Sequence, residues 1–141
     1  MIRWWIPIAC LLTLCAVGCN TFTAGPRIEQ AAIVPQELKP GDVAILTFRV
    51  RDRHAIVATV QAEIAEERSI QFPLRDDGVA PDAVAGDGVW TQQIIVPQQA
   101  PPGTYHVELT AITSEDVPVP VRNESGKVVP LHVSLPVVIQ Q

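Results

Sequence analysis

Beyond residue 27, apolar and polar residues alternate along most of the chain. The clearest case is residues 104–112, where Tyr105, Val107 and Leu109 alternate with His106 and Glu108. Alternation with a period of two is typical of strands that bury one face and expose the other. The same pattern, bounded by Pro and Gly turns, predicts seven strands. They lie at residues 28–34, 43–51, 56–64, 70–74, 89–96, 104–112 and 128–139.

The segment 56–64 has a helical alternative, because Ala, Gln and Glu all favour helices. A period of two holds over all nine residues, whereas a helical stripe would turn polar residues into the core, so we predict a strand. In the next strand, Ile70, Phe72 and Leu74 are expected on the inner face, and Pro73 indicates an edge strand or a bulge. With thirteen prolines in the chain, which helix interiors tolerate poorly, the predicted class is all-β.

The first nineteen residues have a different pattern. Arg3 is followed by an apolar run from Trp4 to Val17, and Gly18 precedes Cys19. A basic start, an apolar core of about 7–15 residues and small residues before the cleavage site define a secretory signal. Because a Cys follows directly, the segment resembles a bacterial lipoprotein signal. The resemblance implies a signal peptide at residues 1–18, cleavage before Cys19, and attachment of diacylglycerol, with fatty acids such as palmitate, to that residue.

The alternatives to a lipid anchor are a membrane-spanning helix and an ordinary signal peptide. A membrane-spanning helix needs about 20 apolar residues, and this run is shorter. An ordinary signal peptide would leave Cys19 as an unpaired thiol in an oxidising compartment. One departure from the lipoprotein pattern is Ala16, where Leu is usual. Asn20 follows the Cys in place of Asp, and by resemblance this implies the outer membrane, facing the periplasm, as the destination.

Composition limits the chemistry of the mature chain. All three cysteines, Cys10, Cys15 and Cys19, lie in or directly after the signal, so no disulfide is expected in the folded domain. The formal net charge is −5, and removing Arg3 with the signal leaves an excess of six acidic residues. This balance disfavours nucleic acid as a partner. We predict a lipidated tether at residues 19–27 and one folded domain at residues 28–141.

Three segments resemble the bacterial immunoglobulin-like and fibronectin-III-like domains. They are Leu-Arg-Asp-Asp-Gly at residues 74–78, Asp-Ala-Val-Ala-Gly-Asp-Gly-Val-Trp at residues 82–90 and Pro-Gly-Thr-Tyr-His-Val at residues 102–107. Seven short alternating strands with regular turn signals also fit such a fold. The expected architecture is therefore a seven-stranded immunoglobulin-like β-sandwich. The resemblance says little about activity, because these sandwiches serve many unrelated roles.

An acidic, Gly-rich loop is the one candidate metal site. It contains Asp76, Asp77, Asp82 and Asp87. Calcium takes six to eight oxygen ligands from carboxylates and carbonyls, and the composition offers them, but the spacing is not that of an EF-hand. The competing interpretation is structural, because Asp side chains accept hydrogen bonds within their own turns. No other cofactor is predicted.

Two aromatic residues are expected to be structural. Tyr105, after Pro-Gly at a strand start, has the position of a tyrosine corner, and Trp90 shares its phase with Ile94 and Val96 and is expected in the core. The three histidines are expected on the surface, although His106 and His132 would face one another in one strand register. No motif of a hydrolase, metalloprotease or nucleotide-binding enzyme is present, so an enzyme is not predicted.

The sequence therefore predicts a lipid-anchored cell-envelope protein whose immunoglobulin-like domain has a structural or protein-interaction role, with an envelope protein as its partner. Two alternatives stay open. One is a calcium-dependent or carbohydrate-binding lipoprotein, which exposed aromatics beside the acidic loop would favour. The other is an accessory subunit of an envelope complex, which an uncovered hydrophobic edge strand would favour.

Overall fold

A computed structural model of the protein describes residues 25–141. The predicted signal peptide, the lipidation site Cys19 and residues 19–24 of the tether lie outside this range. Within it, every regular element is a β-strand, and no helix there is long and apolar enough to cross a membrane. The described part of the protein is therefore all-β, and the strand interpretation of residues 59–64 is correct.

Ten strands occur in the described range, and the seven longest have six residues or more. They are β1 (Arg27–Val34), β2 (Glu37–Leu38), β3 (Val43–Arg51), β4 (Thr59–Ile64), β5 (Glu67–Leu74), β6 (Val89–Ile95), β7 (Gly103–Ile112), β8 (Pro120–Arg122), β9 (Val128–Pro130) and β10 (His132–Ile139).

The strands form two principal sheets and a small hairpin. The three-stranded sheet has the order β1-β3-β6, and the five-stranded sheet has the order β2-β10-β7-β4-β5. All pairings are antiparallel except that between β2 and β10, which is parallel. The predicted final strand at residues 128–139 is divided between β9 and β10, and β8 is not predicted. The hairpin of β8 and β9 lies in the connection from β7 to β10. Its position is fixed by Val119, whose N–H donates to Ala111 and whose carbonyl accepts from Leu131.

Both principal sheets contribute to one hydrophobic core. Leu46 and Phe48 of β3 are fully buried, as are Val107 and Leu109 of β7. Alternate residues of these strands point into the core, which is the reason for the period of two in the sequence. A buried side chain of this size contributes about 1.5–3 kcal/mol relative to an exposed one. The core therefore provides a rigid support for the loops at the ends of the sheets.

Two local predictions are wrong. The third predicted strand begins at Thr59 and not at residue 56, because the carboxylate of Asp52 accepts hydrogen bonds from the backbone N–H groups of His54 and Val57 and holds the chain in a loop. Ile70 was expected on the inner face, but 46% of it is exposed. The pairing of β4 with β5 shifts register between Glu63 and Ile64, and this irregularity turns Ile70 outward. As Pro73 indicates, β5 is an edge strand.

Candidate functional site

The loop that connects β5 to β6 is organised by the carboxylate of Asp76. Its Oδ1 accepts hydrogen bonds from the backbone N–H groups of Gly86 at 2.8 Å and Asp87 at 3.2 Å, and its Oδ2 accepts one from Gly88 at 3.0 Å. A carboxylate suits this place because three N–H dipoles converge on it. One side chain therefore holds the far end of the loop against its beginning.

The other three acidic residues of the loop also accept backbone hydrogen bonds. Asp82 is 4% exposed, and its Oδ2 accepts the N–H of Gly78 at 2.6 Å. Asp77 and Asp87 each accept the N–H two residues further along the chain, at 3.0 and 2.9 Å. The latter contacts are Asx turns, which Asp forms readily.

The four predicted calcium ligands do not converge as a set. Carboxylate oxygens of Asp76, Asp82 and Asp87 lie within 4.8 Å of one another, whereas Asp77 is not part of this group. Three carboxylates are fewer than the six to eight oxygens that calcium takes. The Asp76 carboxylate, moreover, already has three hydrogen-bond donors directed at it. These contacts favour the structural interpretation of the acidic loop.

Gly88 connects the loop to the end of β3. Its carbonyl accepts the N–H of Val50 at 2.9 Å, and its φ of +82° lies in the left-handed region. A Cβ at this position would lie 2.6 Å from the carbonyl oxygen of Val50. Only glycine fits here without a shift of the backbone, so this close approach accounts for the second glycine of the Gly-Asp-Gly sequence.

A groove lies beside the loop, at the end of β3. It has a volume of about 590 Å³ and is lined by the end of β3, the loop after it, the Gly86-Asp87-Gly88 segment, Glu29 and Trp90. A volume of this size falls in the usual range for small-ligand sites, about 300–1,000 Å³. The groove is the candidate functional site of the described domain.

Three arginines, Arg49, Arg51 and Arg53, line this groove. Arg51 Nη1 lies 3.7 Å from Glu29 Oε1. Glu29 reaches it because the pairing of β1 with β3 shifts register between Ile28 and Gln30, which leaves Glu29 as the extra residue of a bulge. Arg49 and Arg53, in contrast, have neither an ion pair nor a side-chain hydrogen bond within residues 25–141.

These arginines are not among the site residues predicted from the sequence, although their spacing is a usable signal. The three arginines occupy alternate positions within five residues at the end of a predicted strand, in a chain with ten basic residues. Alternation placed Arg49 and Arg51 on one polar face. It gave no indication that the acidic loop, about 30 residues further along the chain, lies beside them.

The two singled-out aromatic residues contact the core. Trp90 is half-buried, packs against the hydrophobic cluster and also lines the groove. Tyr105 is half-buried, and its hydroxyl donates a hydrogen bond of 2.9 Å to the carbonyl of Pro101. A bond to backbone a few residues upstream is the geometry of a tyrosine corner.

The histidines do not converge on one another. In the register of β7 with β10, His106 is opposite Pro136 and His132 is opposite Thr110. His106 instead contacts Glu66, with Nδ1 2.7 Å from Oε1 and its backbone N–H donating to Oε2 at 2.9 Å. These hydrogen bonds, the side-chain one foremost, lower the pKa of Glu66 from its ordinary value of 4.5.

Comparison with known proteins identifies no family. No family model matches the chain, and no curated protein matches it. One similar solved structure is the alkylpurine DNA glycosylase AlkC of Pseudomonas fluorescens, bound to DNA containing an abasic-site analogue. It is 13% identical with a TM-score of 0.48, and the match covers 84% of this chain but only 31% of the glycosylase chain.

A second similar structure is a Niemann-Pick type C2 protein from the Japanese carpenter ant. It is 11% identical with a TM-score of 0.47, and the match covers 82% of this chain and 93% of that one. Both TM-scores are too low to support an inference about function, so the proposals below rest on this chain's own residues.

Proposed function

We propose that this chain is a lipid-anchored protein of the bacterial cell envelope, whose described domain is a non-catalytic immunoglobulin-like interaction module. The observation that carries the anchor is the sequence up to Cys19, an apolar run ending in small residues and Cys. The observation that carries the binding role is the arginine-lined groove beside the acidic loop.

The strand order supports the immunoglobulin-like assignment. Sheets β1-β3-β6 and β10-β7-β4-β5 correspond to the sheets ABE and GFC of such sandwiches, with β5 as an additional edge strand and β2 as a short parallel strand beside β10. The hydrogen bond of Tyr105 adds to this support. The hairpin β8-β9 is then an insertion between the last two long strands.

The position of β1 relates the groove to the proposed anchor. Arg27, the first residue of β1, is opposite Arg51 at the end of β3, so the chain enters the domain at the end that carries the groove. Seven residues lie between Cys19 and Arg27, so the two can be at most about 28 Å apart. In the lipidated protein the groove would lie close to the membrane surface.

Lipidation is tested by labelling cells with palmitate and by partitioning the protein between detergent and water. We expect the full chain to incorporate palmitate and to enter the detergent phase, and Cys19→Ser to do neither. Cys15→Ser is the matched control, because it removes a thiol from the same segment but not the predicted acceptor. Detergent partitioning that survives in Cys19→Ser would contradict the lipid anchor.

The interaction role is tested by crosslinking in intact envelopes, followed by isolation of the full chain and identification of what is attached. We expect one protein to be recovered repeatedly with the wild type and lost when the arginines of the groove are replaced. Specific binding of a glycan with no protein recovered would favour the carbohydrate-binding alternative instead.

A second candidate role, accessory subunit of an envelope complex, has its own supporting observation. Strand β6 lies at the edge of the three-stranded sheet, and its Ile95 is 64% exposed. Val43 is opposite Ile95 on the same face, and Val34 extends the apolar surface across β1. If this surface joins a complex, Ile95→Lys will remove the crosslinked partner while the arginine variants retain it.

A further inference from the structure

We propose that the groove binds a small oxyanion-bearing ligand, carrying a phosphate or a carboxylate group, through the guanidinium groups of Arg49 and Arg53. This inference goes beyond the proposed protein-interaction role by assigning the groove a small ligand of stated chemistry. It rests on the domain being a binding module and does not depend on the lipid anchor.

The charged groups of the groove differ in whether they already have a hydrogen-bond or ion-pair partner. Four carboxylates and three guanidinium groups line it. Each carboxylate already has donors: Asp52 accepts two backbone N–H groups, Asp76 three and Asp87 one, while Glu29 contacts Arg27 and Arg51. Backbone N–H groups leave these carboxylates charged but occupy them as acceptors. Within the described residues, Arg49 and Arg53 are therefore the charged groups of the groove that have neither a hydrogen bond nor an ion pair.

The guanidinium groups of Arg49 and Arg53 have the chemistry to bind an oxyanion. A guanidinium presents five N–H donors in a planar fork that matches the oxygens of a carboxylate or phosphate. Such bidentate, charge-assisted hydrogen bonds are among the strongest polar contacts in proteins. Arg49 and Arg53 have no hydrogen-bond or ion-pair partner, whereas the carboxylates around them already accept hydrogen bonds or contact arginines. This arrangement favours a ligand that accepts hydrogen bonds over a cation.

Both arginines lie in segments whose backbone is held by strand pairing or by hydrogen bonds. Arg49 lies in the register of β3, opposite Gln30 on one side and Val89 on the other. Arg53 follows Asp52, whose two backbone hydrogen bonds, of 3.2 and 2.7 Å, hold the loop after β3. A backbone held in this way positions a ligand contact in advance and lowers the entropic cost of binding.

The groove also has an apolar wall that can contact the rest of the ligand. Trp90 and Val57 are both half-buried and give the groove an apolar wall, to which Ala55 also contributes. Ligand sites typically combine apolar walls with a few polar groups that fix orientation. The site therefore fits a small molecule or headgroup with an anionic end and an apolar or flat remainder.

The test follows the indole N–H resonance of Trp90 by NMR in the ¹⁵N-labelled full chain, purified in a non-ionic detergent. Loss of one resonance in Trp90→Phe assigns it. Sodium phosphate and sodium acetate are titrated at constant ionic strength, with sodium chloride as the reference. We expect a saturable shift with phosphate or acetate, and at least a tenfold weaker apparent affinity in Arg49→Gln/Arg53→Gln.

The matched control is Arg68→Gln, which also removes an exposed arginine but one that lies outside the groove and pairs with Glu63. This variant is expected to bind as the wild type does. A shift that never saturates, or one equal in the double variant and the control, would overturn the proposal, because the anion would then act only through general screening.

A second arm separates a free anion from a lipid headgroup. The full chain is placed in nanodiscs of phosphatidylcholine alone or with added phosphatidylglycerol. A shift that requires phosphatidylglycerol and disappears in Arg49→Gln/Arg53→Gln assigns the oxyanion to a headgroup, and saturation by inorganic phosphate or acetate assigns it to a free ligand. No shift in either arm overturns the proposal, whatever the result of palmitate labelling.

Discussion

Replacing Asp76 by Ala should destabilise the domain more than the same replacement of any other aspartate in the acidic loop. The substitution removes the acceptor of three backbone N–H groups, those of Gly86, Asp87 and Gly88, at 2.8–3.2 Å. The first two of these N–H groups are exposed and can bind water in the variant. The third is partly buried beside Val50, so it would lose its partner without full hydration.

The magnitude follows from these environments. A partly buried donor without a partner costs about 1–3 kcal/mol, and each exposed hydrogen bond contributes about 0.5–1.5 kcal/mol. The three bonds share one carboxylate and are not additive, so we expect the free energy of unfolding to fall by about 2–4 kcal/mol. Asp77→Ala removes one exposed Asx hydrogen bond and should cost about 1 kcal/mol or less.

The assay is urea unfolding of each variant, repeated with calcium and with a chelator. Calcium that bound only the folded loop would stabilise it by about 2.7 kcal/mol at a concentration one hundred times its dissociation constant. We expect the wild type to unfold at the same urea concentration in both conditions. Equal, small losses in the Asp76 and Asp77 variants, or a clear stabilisation by calcium, would refute the hydrogen-bonding explanation of this loop.

Three further predictions concern other contacts. Gly88→Ala should lower the free energy of unfolding, measured with urea, by about 2–5 kcal/mol, because of left-handed backbone strain and a clash of the added Cβ. Gly86→Ala, with open space around it, should lower it by only about 1–2 kcal/mol. Equal losses in the two variants would refute the clash. Tyr105→Phe should cost about 0.5–1.5 kcal/mol by the same assay, and a neutral result would remove the hydroxyl's role. The pKa of Glu66 is lowered in the folded state, so its carboxylate stabilises the fold. This contribution to the free energy of unfolding is complete above the ordinary pKa of 4.5 and is lost as the pH falls through the lowered pKa of the folded state. Glu66→Gln should therefore flatten the decline of stability with acid in unfolding measured from pH 6 to pH 3, and an unchanged slope would contradict the pKa shift.

The parts of the fold that could be predicted are those governed by one strand and its core face. The bounds of β3 agree with the predicted strand at residues 43–51, because Leu46, Phe48 and Val50 alternate with polar residues and all point into one core. In β7 the same periodicity gives the buried residues Val107 and Leu109. Alternation is informative wherever a strand has a neighbour on both edges and a core on one side.

The local errors occur where a contact distant in sequence, or a register shift, decides the conformation. Ile70 lies in the irregular part of an edge strand, and no alternation within the strand reveals a bulge in its partner. The start of β4 depends on Asp52 accepting two hydrogen bonds from the loop that follows it.

The alternation of apolar and polar residues does not reveal the groove, for a related reason. Its arginines and its acidic loop are separated by about 30 residues, and the pairing of β3 with β6, which places Arg49 opposite Val89, brings them together. The motif around Asp76 indicated a structured loop, but not which N–H groups its carboxylate binds. That assignment needs the position of Gly88 relative to the end of β3.

The way in which Asp76 closes its loop also affects how the protein can vary. Gly88 lies twelve positions after Asp76, and between them Val79, Ala80 and Val84 expose their side chains, which do not contribute to the hydrogen bonds that close the loop. Evolution or a protein engineer could therefore exchange these positions, or lengthen the segment around them, while the Asp-Gly closure preserves the strands on either side. Residues within this loop can therefore change while its two ends stay fixed, so new recognition surfaces can form beside the groove without changes in the core.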